Sequence, residues 1–192
     1  PSPDGRHVLA MKTDRPQSHP VHMVEVAPGD QLQPRLKTID YLKPGDRIAR
    51  ARPAVFELES GRRMDVEPGV VSNPWSINRI SWHPDGDRVR MLYNQRGHQT
   101  LRYIELDVRD GSTRVLIEET SPTFVDYAGK LFLHVLDGGD QAIWMSERSG
   151  WNHLEMIDLV TGVRRPLTEG PYVVRGVDDV DEEQRLIRIR VL

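Results

Sequence analysis

One short pattern recurs along this chain and constrains its fold more than any other feature. It consists of an apolar strand-like run, a glycine-containing turn and a second run that ends in arginine. Its copies begin at Val55 (VFELESGRR), Tyr103 (YIELDVRDGSTR) and Leu154 (LEMIDLVTGVRR), so they are 48 and 51 residues apart. A period of this size is typical of repeat architectures, in which each unit must stack on its neighbours to bury its faces.

The rest of the chain also consists of short strand-like runs separated by turns. Ala142–Met145 and His153–Leu159 flank the polar loop Ser146–Gly150 and predict an antiparallel hairpin, to which Val163–Leu167 adds a strand. Apolar residues do not recur with helical spacing without an intervening Pro or Gly, so we predict an all-β fold. The other strand-like runs are His7–Lys12, His22–Val26, Leu36–Leu42, Ala54–Leu58, Arg63–Val66, Pro74–Trp82, Arg88–Tyr93, Leu101–Val108, Thr113–Ile117, Thr123–Tyr127, Leu131–Leu136, Tyr172–Val177 and Leu186–Val191.

The period predicts a β-propeller. Two further strands lie between successive copies, so the unit has four strands in roughly 50 residues, the size of one propeller blade. A β-sandwich is the alternative, but it offers no reason for a period near 50 residues. Residues 1–192 are then a single partial β-propeller domain of about three and a half four-stranded antiparallel blades. Because exposed blade edges are normally covered, we expect the natural polypeptide to continue in both directions, and Pro1 as first residue agrees with this.

Composition excludes several classes of function. The 26 basic and 29 acidic residues are interspersed and leave a net charge of −3, whereas nucleic-acid binding needs a clustered basic face. The chain has no cysteine, which excludes disulfides, zinc–thiolate sites and thiol catalysis. No apolar run reaches the ~18 residues of a membrane span, and no signal peptide is visible. The lack of cysteine weighs against a eukaryotic secreted domain, so a bacterial periplasmic or cytoplasmic location is favoured.

Several segments, in the same order, resemble one family of propellers. Ile143–Leu154 (IWMSERSGWNHL) resembles the Trp-x-Ser-Glu-Arg-x-Gly-x-x-His-Leu signature of dipeptidyl peptidase IV-like enzymes, in the prolyl oligopeptidase class of serine peptidases. Ser2–Ala10 resembles the family's Trp-Ser-Pro-Asp-Gly-strand element without the tryptophan. Tyr41–Asp46 (YLKPGD) resembles its Tyr-Pro-Lys-Ala-Gly-Asp segment, with leucine for the first proline and proline for the alanine. Leu167–Gly170 resembles the Leu-Thr-x-Gly that closes the blade, so the resemblance covers essentially the whole chain.

The resemblance implies part of a serine exopeptidase that removes N-terminal dipeptides, usually with proline or alanine in the second position. In that family the catalytic Ser, Asp and His lie in a C-terminal α/β-hydrolase domain, with the serine in a Gly-x-Ser-x-Gly elbow. This chain contains no such elbow, so we expect it to be inactive alone and assign it no catalytic residue, cofactor or metal. The implied partners are the C-terminal α/β-hydrolase domain of the same parent chain, peptide substrates bound through the parent, and a second copy in a homodimer.

The sequence alone does not identify substrate-binding residues. The family's pair of adjacent glutamates, which holds the free amino terminus of the substrate, belongs upstream of the element matching Ser2–Ala10 and would lie before Pro1. Glu118 and Glu119 form another such pair. They follow a strand in the wrong place along the chain, so we do not assign them that role.

The remaining polar and aromatic candidates have structural interpretations. The seven histidines show no metal-binding spacing, and His153 is expected to pack or cap within its blade. Ser146, Glu147 and Arg148 are neighbours in one turn and cannot form a catalytic triad, so we expect the charged pair to tie strand ends together. The acidic run Asp178–Glu183 is expected to be a solvated loop, because its spacing fits no EF-hand. Four tryptophans are expected to fill the space between blades: Trp75, Trp82, Trp144 and Trp151.

Two functions therefore stay open. In the first, the chain is the propeller portion of a dipeptidyl peptidase IV-like exopeptidase, where it serves as scaffold and gate and contributes walls of the substrate cavity. In the second, it is a non-enzymatic propeller that presents loops to protein partners. A Gly-x-Ser-x-Gly domain beyond Leu192 would distinguish the first from the second.

Overall fold

A computed structural model describes all 192 residues, which form β-strands and turns without any helix. No segment is therefore a helix that could cross a membrane. The strands are β1 His7–Asp14, β2 Pro20–Glu25, β3 Arg35–Asp40, β4 Arg50–Glu57, β5 Arg63–Asp65, β6 Pro74–Trp82, β7 Arg88–Gln95, β8 Thr100–Asp107, β9 Thr113–Thr120, β10 Leu133–Val135, β11 Gln141–Ser146, β12 His153–Asp158, β13 Arg164–Pro166, β14 Val174–Asp181 and β15 Leu186–Val191.

The strands pair into four successive antiparallel sheets and one separate hairpin. β6–β9 and β10–β13 are four-stranded sheets in sequential order, β1, β4 and β5 form a three-stranded sheet, and β14 pairs with β15. β2 and β3 pair only with each other, as an insertion between β1 and β4. Sequential antiparallel sheets of this size are propeller blades. The prediction that the chain is part of a β-propeller is confirmed.

The recurring sequence pattern occupies the same place in three blades. Its copies form the hairpins β4–β5, β8–β9 and β12–β13, which are the two outer strands of successive sheets. The turn Pro84-Asp85-Gly86 connects β6 to β7, and the similar turn Pro3-Asp4-Gly5 precedes β1. β1 is therefore equivalent to β7, the second strand of its blade.

Apolar side chains on both faces of the inner strands hold adjacent blades together. On β7, Met91 packs with Val55 of the preceding sheet, whereas its neighbour Leu92 packs with Trp144 of the following sheet. Ile143, next to Trp144, points the other way and packs toward the β14–β15 sheet. This period-2 alternation with both faces apolar is what a strand between two neighbours requires.

The order of the strands separates two ends of the blades. Turns between first and second strands, and between third and fourth strands, lie at one end, which we call the turn end. The opposite end, called the link end, carries the turns between second and third strands and the connections between blades. The link end thus includes residues 96–99, 121–132 and 147–152, and the β2–β3 hairpin extends from it.

The prediction of a strand at Thr123–Tyr127 is wrong, because these residues form the connection between two blades. The Ser121 hydroxyl accepts hydrogen bonds from the backbone N–H groups of Thr123 (3.2 Å) and Phe124 (3.1 Å). Asp126 likewise accepts the N–H of Gly129 at 2.8 Å. Side-chain bonds of this kind satisfy the backbone locally and compete with a sheet ladder.

The prediction that the acidic run is a loop is wrong for Asp178–Asp181, which continue β14. An irregularity in the pairing between Val177 and Asp179 accommodates the extra residue. The cross-strand ion pair from Arg190 Nε to Asp178 Oδ1 (2.8 Å) offsets the poor strand propensity of aspartate. The turn itself is confined to residues 182–185.

The packing between blades predicts a large effect for Met91→Ala. Met91 is fully buried between the first and second blades, so truncation should lower the free energy of unfolding by about 2–5 kcal/mol. Val163→Ala, at an exposed turn position, should change it by less than about 0.5 kcal/mol. Urea denaturation measures both, and equal unfolding midpoints for the two variants would contradict this account of the core.

Candidate functional site

At the link end, the family-like turn between β11 and β12 is bound to the preceding blade through one carboxylate. Trp144, fully buried on β11, donates its Nε1–H to Glu119 Oε1 at 3.0 Å. Arg148 Nη2 donates to the same oxygen at 2.9 Å and to the Glu118 carbonyl at 3.1 Å. Because Glu119 is the next-to-last residue of β9, these bonds join the second and third blades.

A second arginine completes this arrangement. Arg164 Nη1 lies 2.9 Å from Glu155 Oε2 and 3.4 Å from Glu119 Oε1. Two arginines thus face two carboxylates in a partly enclosed site, where charge-assisted hydrogen bonds are strong. We call Glu119, Trp144, Arg148, Glu155 and Arg164 the Glu119 clamp.

The contacts of Glu118 and Glu119 determine whether this pair could bind the amino terminus of a peptide. Glu119 is only 12% exposed and is held by the clamp, while Glu118 forms an ion pair with Arg102 at 2.5 Å. Both carboxylates already have an arginine partner within the chain, so their geometry is that of structural ion pairs.

Ser146 and His153 lie opposite each other in the β11–β12 register but do not bond to each other. The Ser146 hydroxyl accepts the backbone N–H of Arg148 at 3.2 Å. The His153 ring lies 3.0 Å from Thr168 Oγ1 and 3.1 Å from the Gly170 carbonyl oxygen, through its two nitrogens. Both side chains make hydrogen bonds within the chain, and they do not form a nucleophile–base pair with each other.

A partly exposed aromatic cluster lies at the link end of the blades. His98 stacks on Tyr127 with ring centroids 4.5 Å apart and meets Trp75 (5.2 Å) and Phe124 (5.6 Å) edge-on. Trp75 and Phe124 are 48% and 49% exposed. We call these four residues the aromatic cluster.

His98 belongs to this cluster as an uncharged ring. Burial lowers its pKa below the ordinary histidine value, so the ring is neutral at pH 7. Its Nδ1 lies 3.1 Å from Asn94 Oδ1, which fixes the ring plane. The cluster therefore presents flat apolar faces without a charge of its own.

The expectation that all four tryptophans fill space between blades is wrong for Trp75 and Trp151. Trp144 is fully buried and Trp82 packs partly against the first core cluster. Trp75 is the second residue of β6, at the link end, and Trp151 lies in the turn between β11 and β12. Trp75 falls at an irregularity of the β6–β7 pairing, between Pro74 and Ser76, and both tryptophan side chains are about half exposed.

Two cavities flank the aromatic cluster. One, of about 400 Å³, lies between the 121–131 connection and the Glu119 clamp and is lined by Phe124, Lys130, Glu147 and Arg148 among others. The other, of about 390 Å³, lies beside β6, and we call it the β6 cleft. Both cavities combine aromatic side chains with polar ones, and ligand sites are usually concave.

The turn end is organised by a buried ion pair instead. Arg90 and Glu105 are 2% and 1% exposed, and Arg90 Nε lies 2.7 Å from Glu105 Oε2. Arg90 also donates to the carbonyl oxygen of Gly139 in the next blade. A Cβ on Gly139 would overlap the His83 ring, and the φ of Gly139 is +82°, so only glycine fits there.

No group of three or more His, Asp or Glu side chains in the structure is placed to hold a metal ion. The contacts of Glu182, in the turn after β14, illustrate how such side chains are used instead. Glu182 accepts hydrogen bonds from His134 Nε2 (2.8 Å) and from the Asp137 backbone N–H (3.0 Å). These contacts join the third blade to the last sheet.

The clamp predicts different effects for neighbouring glutamates. Glu119→Ala leaves the buried Trp144 N–H without an acceptor, so the free energy of unfolding should fall by about 2–3 kcal/mol. Glu118→Ala removes only the half-exposed pair with Arg102 and should cost less than about 1 kcal/mol. Chemical denaturation of the two variants tests this, and equal losses would show that the clamp is not what joins the blades.

The turn end predicts a pH effect at Asp85. Burial opposes ionisation of Asp85, but the Asp87 backbone N–H and the Arg88 guanidinium outweigh it and hold the pKa of the carboxyl below its ordinary value. A lowered folded-state pKa stabilises the fold above the unfolded value, near pH ~4, and this contribution is lost as pH falls further.

Asp85→Asn should therefore be less stable than wild type at pH 7, and its stability should fall less steeply below about pH 4. Denaturation curves between neutral and acidic pH measure this. Glu59→Gln, at an exposed position, is the control and should follow the wild-type profile. An Asp85→Asn profile parallel to wild type would contradict the prediction.

Comparison with known proteins agrees with this architecture. A "putative dipeptidyl aminopeptidase IV from Bacteroides ovatus" covers all of this chain with a TM-score of 0.68 at 16% identity, and the chain spans 29% of it. "Porphyromonas gingivalis dipeptidyl peptidase 4" covers 94% of this chain with a TM-score of 0.73 at 17% identity, and 25% of its own length is matched. At these identities the likeness shows the fold.

Sequence comparison shows the family. A "Probable dipeptidyl peptidase 4" from Emericella nidulans is 24% identical over 182 residues, covering 78% of this chain and 23% of that protein. The chain thus spans about a quarter of the length of this curated relative. The family model described as "Dipeptidyl peptidase IV (DPP IV) N-terminal region" matches residues 2–188. This chain therefore belongs to the dipeptidyl peptidase IV N-terminal region family.

Proposed function

We propose that this chain is the propeller portion of a serine exopeptidase that releases N-terminal dipeptides, in which it serves as scaffold and gate. Residues 1–192 are then one partial propeller domain. The catalytic triad lies in an α/β-hydrolase domain of the same parent chain, since this sequence has no Gly-x-Ser-x-Gly elbow. Membership of the family supports the peptidase part of the proposal.

The observation that carries the gating role is the aromatic cluster with its two flanking cavities. Exposed aromatic faces such as Trp75 and Phe124 suit extended peptides, and proline-containing segments in particular, because these dock on aromatic surfaces with little loss of entropy. The link end thereby offers peptide contacts, whereas the turn end consists largely of paired charges.

A gate of this kind selects by shape. The cavities at the link end are about 400 and 390 Å³, which accommodates a few residues of an extended chain and excludes a folded domain. The rigidity needed for selection comes from the Glu119 clamp, which fixes the base of the 121–131 connection that carries Phe124 and Tyr127. Peptide ends that are short and unstructured would pass.

The proposal predicts where activity and affinity reside. The 192-residue chain should release no dipeptide from Ala-Pro-p-nitroanilide, whereas the natural protein that contains it should do so, and a serine-directed phosphonate should block the reaction. In that longer protein, Phe124→Ala should raise KM several-fold with little change in kcat, because it removes contact area without touching the chemistry.

Trp151→Ala is the matched control, since Trp151 is similarly exposed but lies outside the aromatic cluster. It should leave KM unchanged. Equal effects of the two substitutions would refute a specific role for the aromatic cluster. Absence of dipeptide release by the longer protein would refute the peptidase itself.

That last outcome would favour the alternative, a propeller that binds protein partners without catalysis. The β2–β3 hairpin is the observation in its favour. It pairs with no other strand and exposes Met23, Val24 and Leu36. A two-stranded sheet is marginal by itself, so a second copy of the chain or another protein would stabilise it.

A further inference from the structure

Arg79 adopts a backbone conformation that its residue type disfavours. Its φ is +48°, in the left-handed region that costs energy for a residue with a side chain. Unlike Asn73, His98 and Arg185, the other non-glycine residues with positive φ, it lies inside a strand, β6. The pairing of β6 with β7 is interrupted there, between Asn78 and Ser81.

Such a bulge changes the direction in which a side chain points, and bulges are over-represented next to functional sites. Arg79 consequently lines the β6 cleft. Its guanidinium makes one hydrogen bond, from Nη1 to the Leu133 carbonyl oxygen of the third blade at 3.2 Å. This bond orients the group and leaves Nε and Nη2 without a partner in the chain.

The composition of the cleft defines the ligand that would complement it. Trp75 and Tyr127 supply aromatic walls, and the buried Leu92 and Leu101 supply an apolar floor. No aspartate or glutamate lines the cleft, so Arg79 is its only charged group. An unpaired cation beside apolar walls is complementary to a carboxylate attached to an apolar body.

We propose that the β6 cleft binds the free C-terminal carboxylate of a short peptide, with Arg79 as the carboxylate-binding residue. The free Nε and Nη2 atoms form the side-on fork that accepts both oxygens of a carboxylate. The terminal side chain of the peptide then packs against the cleft-facing sides of Trp75 and Tyr127. The peptide nature of the ligand rests on the proposed function, whereas the carboxylate specificity rests on the cleft alone.

Calorimetric titration of the 192-residue chain with the tripeptide Ala-Pro-Phe, as the free acid and as the C-terminal amide, tests this. The free acid should bind about tenfold or more tightly than the amide, since a charged hydrogen-bonded pair is lost. Arg79→Gly should abolish that preference. Because glycine adopts positive φ without strain, thermal unfolding of this variant should occur at or above the wild-type temperature.

Arg185→Gly is the matched control, since Arg185 also has a positive φ (+56°) but lies in the β14–β15 turn. It should keep the wild-type preference. Equal affinities for acid and amide in the wild type would overturn the carboxylate site and leave the peptide-facing role intact. A preference that persists in Arg79→Gly would overturn the assignment to Arg79. Binding of 3-phenylpropanoate without binding of either peptide would support the carboxylate site and count against the peptide-facing role.

Discussion

The structure depends on one constraint: a twisted four-stranded sheet cannot bury both of its faces without neighbours. The central strands of the two four-stranded sheets carry apolar side chains on both faces, so Met91 and Leu92, adjacent on β7, belong to different cores. Apolar packing of this kind is non-directional and tolerates sliding of one blade on another. Directional interactions, such as hydrogen bonds and ion pairs, are needed to fix the blades relative to each other.

Polar contacts at the two ends of the blades meet that need. The Glu119 clamp at the link end and the Arg90–Glu105 pair at the turn end both reach from the second blade to the third. Buried charges contribute little net stability, because desolvation offsets their attraction, but they penalise every arrangement in which they are unpaired. Their role is to define one register between blades that apolar contacts already hold together.

The features predictable from the sequence are those that recur or alternate locally. The period near 50 residues located the outer hairpins, such as β8–β9, and apolar alternation located most strands. The loop at Thr123–Tyr127 was missed because its β-rich composition is the same whether or not a partner strand is present. Backbone N–H groups of this connection donate to the side chains of Ser121 and Asp126. Whether these bonds form depends on where the previous blade ends.

The candidate site was less predictable than the fold, for a physical reason. Trp75 falls at an irregularity in the β6–β7 pairing, between Pro74 and Ser76, and no local pattern encodes that irregularity. Arg79 has no residue-type signal either, since glycine or asparagine would mark a positive φ but arginine does not. The bulge arises from pairing with β7 and is visible only once both strands are in place.

The residues of the family-like signature are not the residues that would determine ligand specificity. Trp144, Ser146, Arg148 and His153 all bond within the chain, so these residues serve the structure of the blade and its contact with the preceding blade. A resemblance carried by such residues transfers the architecture. In the sites proposed above, selectivity would come instead from side chains that lie at the surface of the blades, such as Trp75, Phe124 and Arg79. These are the positions at which proteins sharing this fold can differ in what they bind without disturbing the contacts between blades.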